Sequence, residues 1–276
     1  MKFNDNKKLI LIKYGGNAML NDKLSEDILN RTITLNKKDY RVVLVHGGGP
    51  FIKENLSMAG IKSEFIGGHR KTTPEAMKYI EMALKGEVNS KLVRIINKLG
   101  GSAVGLSGKD GKTALAAKRN YIDESGKKAD LGQVGDLIDV DTTLLQLLLE
   151  SNFLPVVTSV AWSKEGVDYN VNADMFAGFL AGKLKVNKFI LLTDVDGLME
   201  DPEKPDTLFN HLRLQQISDM EGTIIKGGMI PKTESCKIAL ELGAENAIIT
   251  NGTKPDYLMR AIEEDDFNHA TKITLS

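Results

Sequence analysis

Two lysines occupy positions that a merely solvated cation does not need. Lys13 closes the apolar run LILIK (9–13), and Gly15 and Gly16 follow one residue later. Lys232 ends the cluster KGGMIPK (226–232), where Pro231 suits the first helical position and a cation in the first turn opposes the helix dipole. A bound polyanion accounts for both placements. The plain alternative for Lys232 is a side chain that snorkels to water.

Around these lysines the chain supplies anion-binding backbone. KYGGNAM and HGGGP each end an apolar run and precede a helical pattern. Glycines there let N–H groups approach an anion, and the helix N-terminus adds a positive dipole. Taken singly, each pair of glycines is more often a tight turn; the combination with lysines carries the signal. The string G-x-x-x-x-G-K-[ST] is absent, and the one G-x-G, Gly47 to Gly49, has Ile52 where a dinucleotide fingerprint needs glycine. HGGG also serves esterases as an oxyanion hole, but their G-x-S-x-G elbow is missing; GLSGK (105–109) fails at its last position.

YNVNADMFAGFLAGKL (169–184) adds polar groups. Asn172 is a good N-cap, which places Asp174 in the first turn and Asn170 at its mouth. As caps they need no function; functionally, Asp174 can hold a lysine by a charge-assisted hydrogen bond and Asn170 a substrate polar group. LLTDVDGL (191–198) is a strand end carrying Thr193, Asp194 and Asp196, where a nucleotide can sit at the carboxyl edge of a parallel sheet.

These groups must be positioned by alternating strands and helices. LILIK precedes an amphipathic stretch at 24–38, RVVLVHGGGP (41–50) precedes a helical pattern at 50–60, and FLPVVTSV (153–160) precedes one at 172–185. NKFILLTDVDG (187–197), PKTESCKIALELG (231–243) and NAIITNG (246–252) continue the series. Short continuous apolar runs ending in Gly, Asp or Asn predict parallel strands covered on both faces, hence an α/β fold. Residues 61–73 and 112–135, polar and rich in Gly, Lys and Asp, suit hairpins or lids, and EDPEKPDT (200–207) reads as an exposed loop. A division near residue 165 gives two lobes, 1–165 and 166–276, sharing one sheet.

The totals exclude other classes. At 276 residues, 42% hydrophobic and 26% charged, the chain is an ordinary globular one, and a net charge of −1 argues against a nucleic-acid or membrane-surface binder. The single cysteine, Cys236, builds no disulfide framework, reads as a small half-buried side chain and favours a reducing compartment. No signal peptide or apolar span approaches the roughly 20 residues a membrane requires, so a soluble cytoplasmic protein is expected.

In this order, KYGGNAM, VVLVHGGGP, AVGLSGKDG, NVNAD, FILLTDVDGL and GGMIPK closely resemble the amino acid kinase family, over residues 9 to about 250. The likeness is greatest to the branch that phosphorylates N-acetyl-L-glutamate in arginine biosynthesis. The resemblance implies an open αβα sandwich with a mainly parallel central sheet, the phosphate acceptor held by the N-terminal lobe and ATP, with Mg²⁺, by the C-terminal lobe. It implies that Lys13 and Lys232 stabilise the transition state and Asp174 orients them. It places Gly15 and Gly16 at the transferring phosphate, Gly48 and Gly49 at the acceptor, and Arg70 and Asn170 on the acceptor's polar groups. Thr193, Asp194 and Ile225, Lys226, Gly227, Gly228 and Met229 match the nucleotide-binding segments.

Departures are local. Where the family commonly reads N-G-L-R-V-T, this chain has GGHRKTTP (67–74), keeping Arg70 but adding His69 and Lys71. N-succinylglutamate, N-acetylaminoadipate or carrier-linked aminoadipate would need the same lysines, so the acyl group is less constrained than the reaction. A non-catalytic nucleotide sensor should have lost a lysine or the aspartate, and all three are present. Arginine-inhibited hexameric relatives carry an extra N-terminal helix; about eight polar residues precede LILIK here, which implies a homodimer insensitive to arginine.

Overall fold

The computed structural model describes residues 7–15, 19–122, 126–201 and 203–276. The continuous apolar runs become strands in the middle of one eight-stranded sheet. In chain order these are β1 (Lys8–Tyr14), β2 (Tyr40–His46), β3 (Ala103–Ser107), β4 (Leu154–Thr158), β5 (Lys188–Thr193), β6 (His211–Arg213), β7 (Ala247–Asn251) and β8 (Ala270–Thr274). Their order across the sheet is β6-β8-β7-β5-β1-β2-β4-β3. The six strands from β7 to β3 are parallel; β8 runs antiparallel to β7 and carries β6 with it.

Why the central strands lack polar alternation is plain from the packing. Leu9, Leu11, Val43, Val45, Phe189 and Leu191 join one core, whereas Ile10, Ile12, Val42, Leu44, Ile190 and Leu192 join another. Successive side chains of a strand point to opposite faces, so burial on both faces demands an apolar residue at every position. The first face is covered by α5 (Thr143–Glu150), α6 (Ala173–Leu184) and α8 (Ile230–Glu241). The second is covered by α1 (Asp22–Lys37), α4 (Ser90–Lys98) and α9 (Pro255–Met259). This is the expected αβα sandwich, with an antiparallel edge at β8.

A smaller cluster joins α2 (Gly49–Met58) to α3 (Pro74–Glu81) through Ile52, Leu56, Met77, Ile80 and Leu84. Helix α3 passes through a π-helical stretch, Met82–Asn89, into α4. The polar region 61–73 forms a hairpin, Phe65–Ile66 against His69–Arg70, and Ala114–Lys118 pairs with Gly135–Val140. A short helix, α7 (Leu214–Met220), follows β6. The single sheet extends on both sides of residue 165. Among the described residues, no helix is long and apolar enough to cross a membrane.

Candidate active site

Parallel strands end on the same edge, and the polar groups singled out above collect there. β1 delivers Lys13 between Val45 of β2 and Leu191 of β5. Its side chain is only 9% exposed, and its Nζ lies 2.6 Å from Asp174 Oδ1. Lys232 Nζ lies 3.2 Å from Oδ2 of the same carboxylate, with its side chain 23% exposed. One carboxylate therefore holds a lysine from a strand and a lysine from a helix. Asp174 is placed by its cap: Asn172 Oδ1 accepts from the backbone N–H of Asp174 and Met175, at 2.9 and 3.2 Å. Lys232 is placed by Pro231, which starts α8 beside α6.

Burial opposes ionisation of Asp174, but the Lys13 and Lys232 ammonium groups outweigh it and hold the carboxyl below the ordinary carboxylate range. Cys236 is fully buried one turn beyond Lys232; burial, aided by the Asp174 charge, pushes its thiol up and makes it a poor nucleophile. Lys13 folds across Gly15, where an added β-carbon would lie 2.4 Å from Lys13 Nζ. Gly16 falls outside the described residues.

The expected acceptor residues surround one cleft of about 190 Å³, lined by Gly47–Gly49, His69, Arg70 and Asn170 among others. The half-buried Arg70 guanidinium donates to Ser63 Oγ, reaches the Gly49 carbonyl at 3.4 Å and lies over the Phe65 ring, 4.6 Å from its centroid. Asn170 Nδ2 donates weakly to Thr72 Oγ1 at 3.3 Å. His69 forms part of the wall, edge-on to Tyr121, and burial together with the nearby Arg119 charge lowers its pKa. Lys71 instead pairs with Glu64 at 3.3 Å.

A second cleft of about 390 Å³ adjoins the first and shares Gly68, His69 and Asn172 with it. Its far wall is Gly227, Gly228 and Pro231, at the start of α8. Of the other expected nucleotide residues, Thr193 ends β5 and closes a turn through its hydroxyl, which donates to the Val195 carbonyl at 2.8 Å. Asp194, Lys226 and Met229 line neither cleft, and the Ile225 side chain is buried in the core, leaving only its backbone. Asp196 is engaged by Asn251 Nδ2 at 2.7 Å and by Lys254 at 3.3 Å. Among the described residues no group of three or more His, Cys, Asp or Glu could hold a metal ion.

The amino acid kinase family model matches residues 8–251. The chain belongs to the amino acid kinase family. Among its relatives in that family, the acetylglutamate kinase of Methanocaldococcus jannaschii is 42% identical over 260 residues, 92% of this chain and 87% of that one. The acetylglutamate kinase of Clostridium beijerinckii is 43% identical over 255 residues, 91% and 87% of the two chains. Similar solved structures include smu.665 from Streptococcus mutans UA159, with a TM-score of 0.78 and 27% identity over 97% of this chain and 99% of that one. Giardia lamblia carbamate kinase bound to AMP-PNP has a TM-score of 0.71 over 98% and 99% of the two chains; at 18% identity it speaks for the amino acid kinase fold alone.

Proposed function

We propose that this family member transfers the γ-phosphoryl group of ATP to the side-chain carboxylate of N-acetyl-L-glutamate, giving N-acetyl-L-glutamyl 5-phosphate and ADP. The observation that carries the reading is the shared carboxylate: Lys13 and Lys232 meet on Asp174, and the chain neighbours Ala173 and Pro231 each line one of two adjoining clefts. Acetylglutamate kinases at 42% and 43% identity over nine-tenths of the chain support the choice of acceptor.

The chemistry follows from the charges. An acceptor carboxylate is already ionised, so no general base is required, and Asp174 is occupied by its lysines. One acceptor oxygen attacks the γ-phosphorus as the bond to the ADP oxygen breaks. Negative charge spreads over the three equatorial oxygens, so catalysis reduces to positioning and electrostatic stabilisation. In this reading Lys13 and Lys232 neutralise that charge while Asp174 aims them. Gly15 and Gly16 meet the transferring phosphate, and Gly48 and Gly49 the acceptor. Arg70 takes the acceptor's α-carboxylate and Asn170 a second polar group. Thr193, Asp194 and residues 225–229 serve the nucleotide, Ile225 only through its backbone. The donors here are ammonium and peptide N–H groups, which suit phosphate oxygens; Mg²⁺ would take its ligands from the phosphates and water and offset their charge. In this reading residues 1–165 hold the acceptor, with Asn170 reaching it from 166–276, and 166–276 hold the nucleotide. We assign the enzyme to arginine biosynthesis in the cytoplasm, as a homodimer.

His69 on the acceptor wall is the one observation favouring a second reading, a larger N-acylated acidic amino acid such as N-succinylglutamate or an aminoadipate derivative. Hydroxylamine trapping with ATP, Mg²⁺ and a panel of carboxylates tests both. Hydroxamate formed chiefly from N-acetyl-L-glutamate supports the first reading, preference for a longer acceptor the second, and none from any carboxylate sinks both.

A further inference from the structure

The stretch Pro74–Lys98 contains a change of helical geometry with a counterpart at the acceptor cleft. Over Met82–Asn89 the hydrogen bonding is π-helical, flanked by α3 and α4. One residue inserted into an α-helix rotates everything after it by about 100°. Asn89, the last residue of the widened stretch, is 2% exposed. Its amide nitrogen lies 2.9 Å from the Val156 carbonyl, 3.5 Å from the Leu106 carbonyl and 2.9 Å from His46 Nε2. Carbonyls only accept, which fixes the amide with its nitrogen toward them. His46 Nε2 must then accept as well, so the ring proton sits on Nδ1 and is donated to the Gly47 carbonyl at 2.9 Å. On its other side Asn89 fits because Gly105 has no β-carbon; one would lie 2.1 Å from Asn89 Oδ1.

The same stretch supports the glycine loop again one residue later. A β-carbon on Gly48 would meet Leu84 Cδ2 at 2.8 Å and Val88 Cγ2 at 3.3 Å, both from the π-helical turns. We propose that Asn89 is a positioning residue for phosphoryl transfer: it holds His46 in one tautomer, His46 holds the Gly47 carbonyl, and the widened helix thereby sets the Gly48–Gly49 wall of the acceptor cleft. A peptide is planar, so fixing the Gly47 carbonyl fixes the direction of the Gly48 N–H. Without such a clamp three consecutive glycines are the freest backbone in the chain. Burial pushes the His46 pKa down to about 4 against its bond to Gly47, and the nearby Lys85 and Lys13 charges add to the lowering, so the ring stays neutral at working pH.

The inference rests on the kinase reading, and the wild type is assayed first. No acyl phosphate from any carboxylate by the wild type defeats that reading without bearing on the clamp. With an active wild type, Asn89→Ala should lower kcat/KM for the acceptor about 10- to 100-fold, the scale of a 1 Å misplacement, while the Kd for ATP stays within about twofold. Unchanged acceptor kinetics, or equal losses for acceptor and ATP, overturn the proposal. Histidine ¹⁵N spectra of the unmutated protein provide a readout that needs no variant and no activity. His46 should show a protonated Nδ1 and no titration between about pH 5.5 and 8, where free imidazole titrates. A His46 protonated on Nε2, or titrating in that range, overturns the clamp outright. Should Asn89→Ala fail to fold, Asn89→Ser, which keeps a donor, takes its place in the kinetic comparison.

Discussion

Gly178 of α6 lies so close to Ser235 of α8 that a β-carbon on it would stand 2.3 Å from the Ser235 carbonyl oxygen. That approach fixes the helix carrying Asp174 against the helix carrying Lys232. The obstacle is backbone, which cannot step aside without moving α8. Gly178→Ala should therefore cost about 1–3 kcal/mol of stability, as overpacking does, and lower Tm by about 2–4 °C for each kcal/mol. It should also draw Lys232 away from Asp174 and cut turnover about 10- to 100-fold. Thermal unfolding and a hydroxamate assay check both; a stable, fully active variant contradicts the packing argument.

Gly15 offers the opposite case. The atom that a new methyl group would strike is Lys13 Nζ, the free end of a flexible side chain. Gly15→Ala should leave stability within about 0.5 kcal/mol. The amine swings aside within reach of Asp174 but no longer aims at the phosphoryl group, so turnover should fall about 100-fold, close to the loss expected for Lys13→Ala or Lys232→Ala from removing one transition-state stabiliser. Steady-state kinetics beside a urea melt separate the two quantities. A Gly15→Ala protein that loses stability and activity together speaks against this account.

Asp174 makes stability depend on pH with a definite sign. Its folded carboxyl titrates below its unfolded value, because two ammonium groups outweigh the cost of burial. The stabilisation is complete above the unfolded pKa of about 3.9 and is lost as pH falls through the folded value. Asp174→Asn, which leaves two buried or half-buried cations unbalanced, should cost about 3–5 kcal/mol at neutral pH. That gap should stay level above about pH 5 and narrow below about pH 4, where the unfolded chain's carboxyl takes up a proton before the folded one does. Urea melts at several pH values measure it. A gap that widens in acid reverses the sign and refutes the shared-carboxylate picture.

How far the sequence foretold this arrangement depended on which force set each element. β1, β2, β4, β5 and β7 announce themselves because burial on both faces forces continuous apolar runs, and their helices α1, α2, α6 and α8 follow within one or two residues of the patterns. Lys13 and Lys232 stood out because each breaks a local rule, a cation ending an apolar strand and a cation in the first turn of a helix. Asp174 breaks none, since a first-turn acid suits the helix dipole, and drew attention only as a possible partner for a lysine. The stretch from Pro74 to Lys98 was not legible. Its π-helical turns interrupt the apolar period, and Gly86 sits in the middle where helical propensity is weakest. Asn89 carries no signal of its own in the sequence, because its partners His46, Leu106 and Val156 come from three separate strands. The antiparallel β8 gave no signal either, since strand direction is set by connection length rather than by side-chain pattern. Lys71 drew attention by its charge alone, and Glu64 accounts for it.

Cys236 reports on the α6–α8 contact from inside. It belongs to the core cluster that includes Phe176, Ala177 and Ala181 of α6, is fully buried, and has its thiol pKa pushed up by burial. A thiol reagent needs both access and thiolate, and the folded protein denies it both. The native enzyme should therefore consume no aromatic disulfide reagent over minutes, and one equivalent on unfolding in denaturant. Local opening of the two helices is the route to the sulfur in the folded state, so labelling measures that opening. Gly178→Ala, by weakening the contact, should speed labelling at least tenfold under conditions where Gly15→Ala leaves it unchanged. Rapid labelling of the unmutated protein would show that α6 and α8 separate freely, and a carboxylate carried on one could not then hold the lysine of the other.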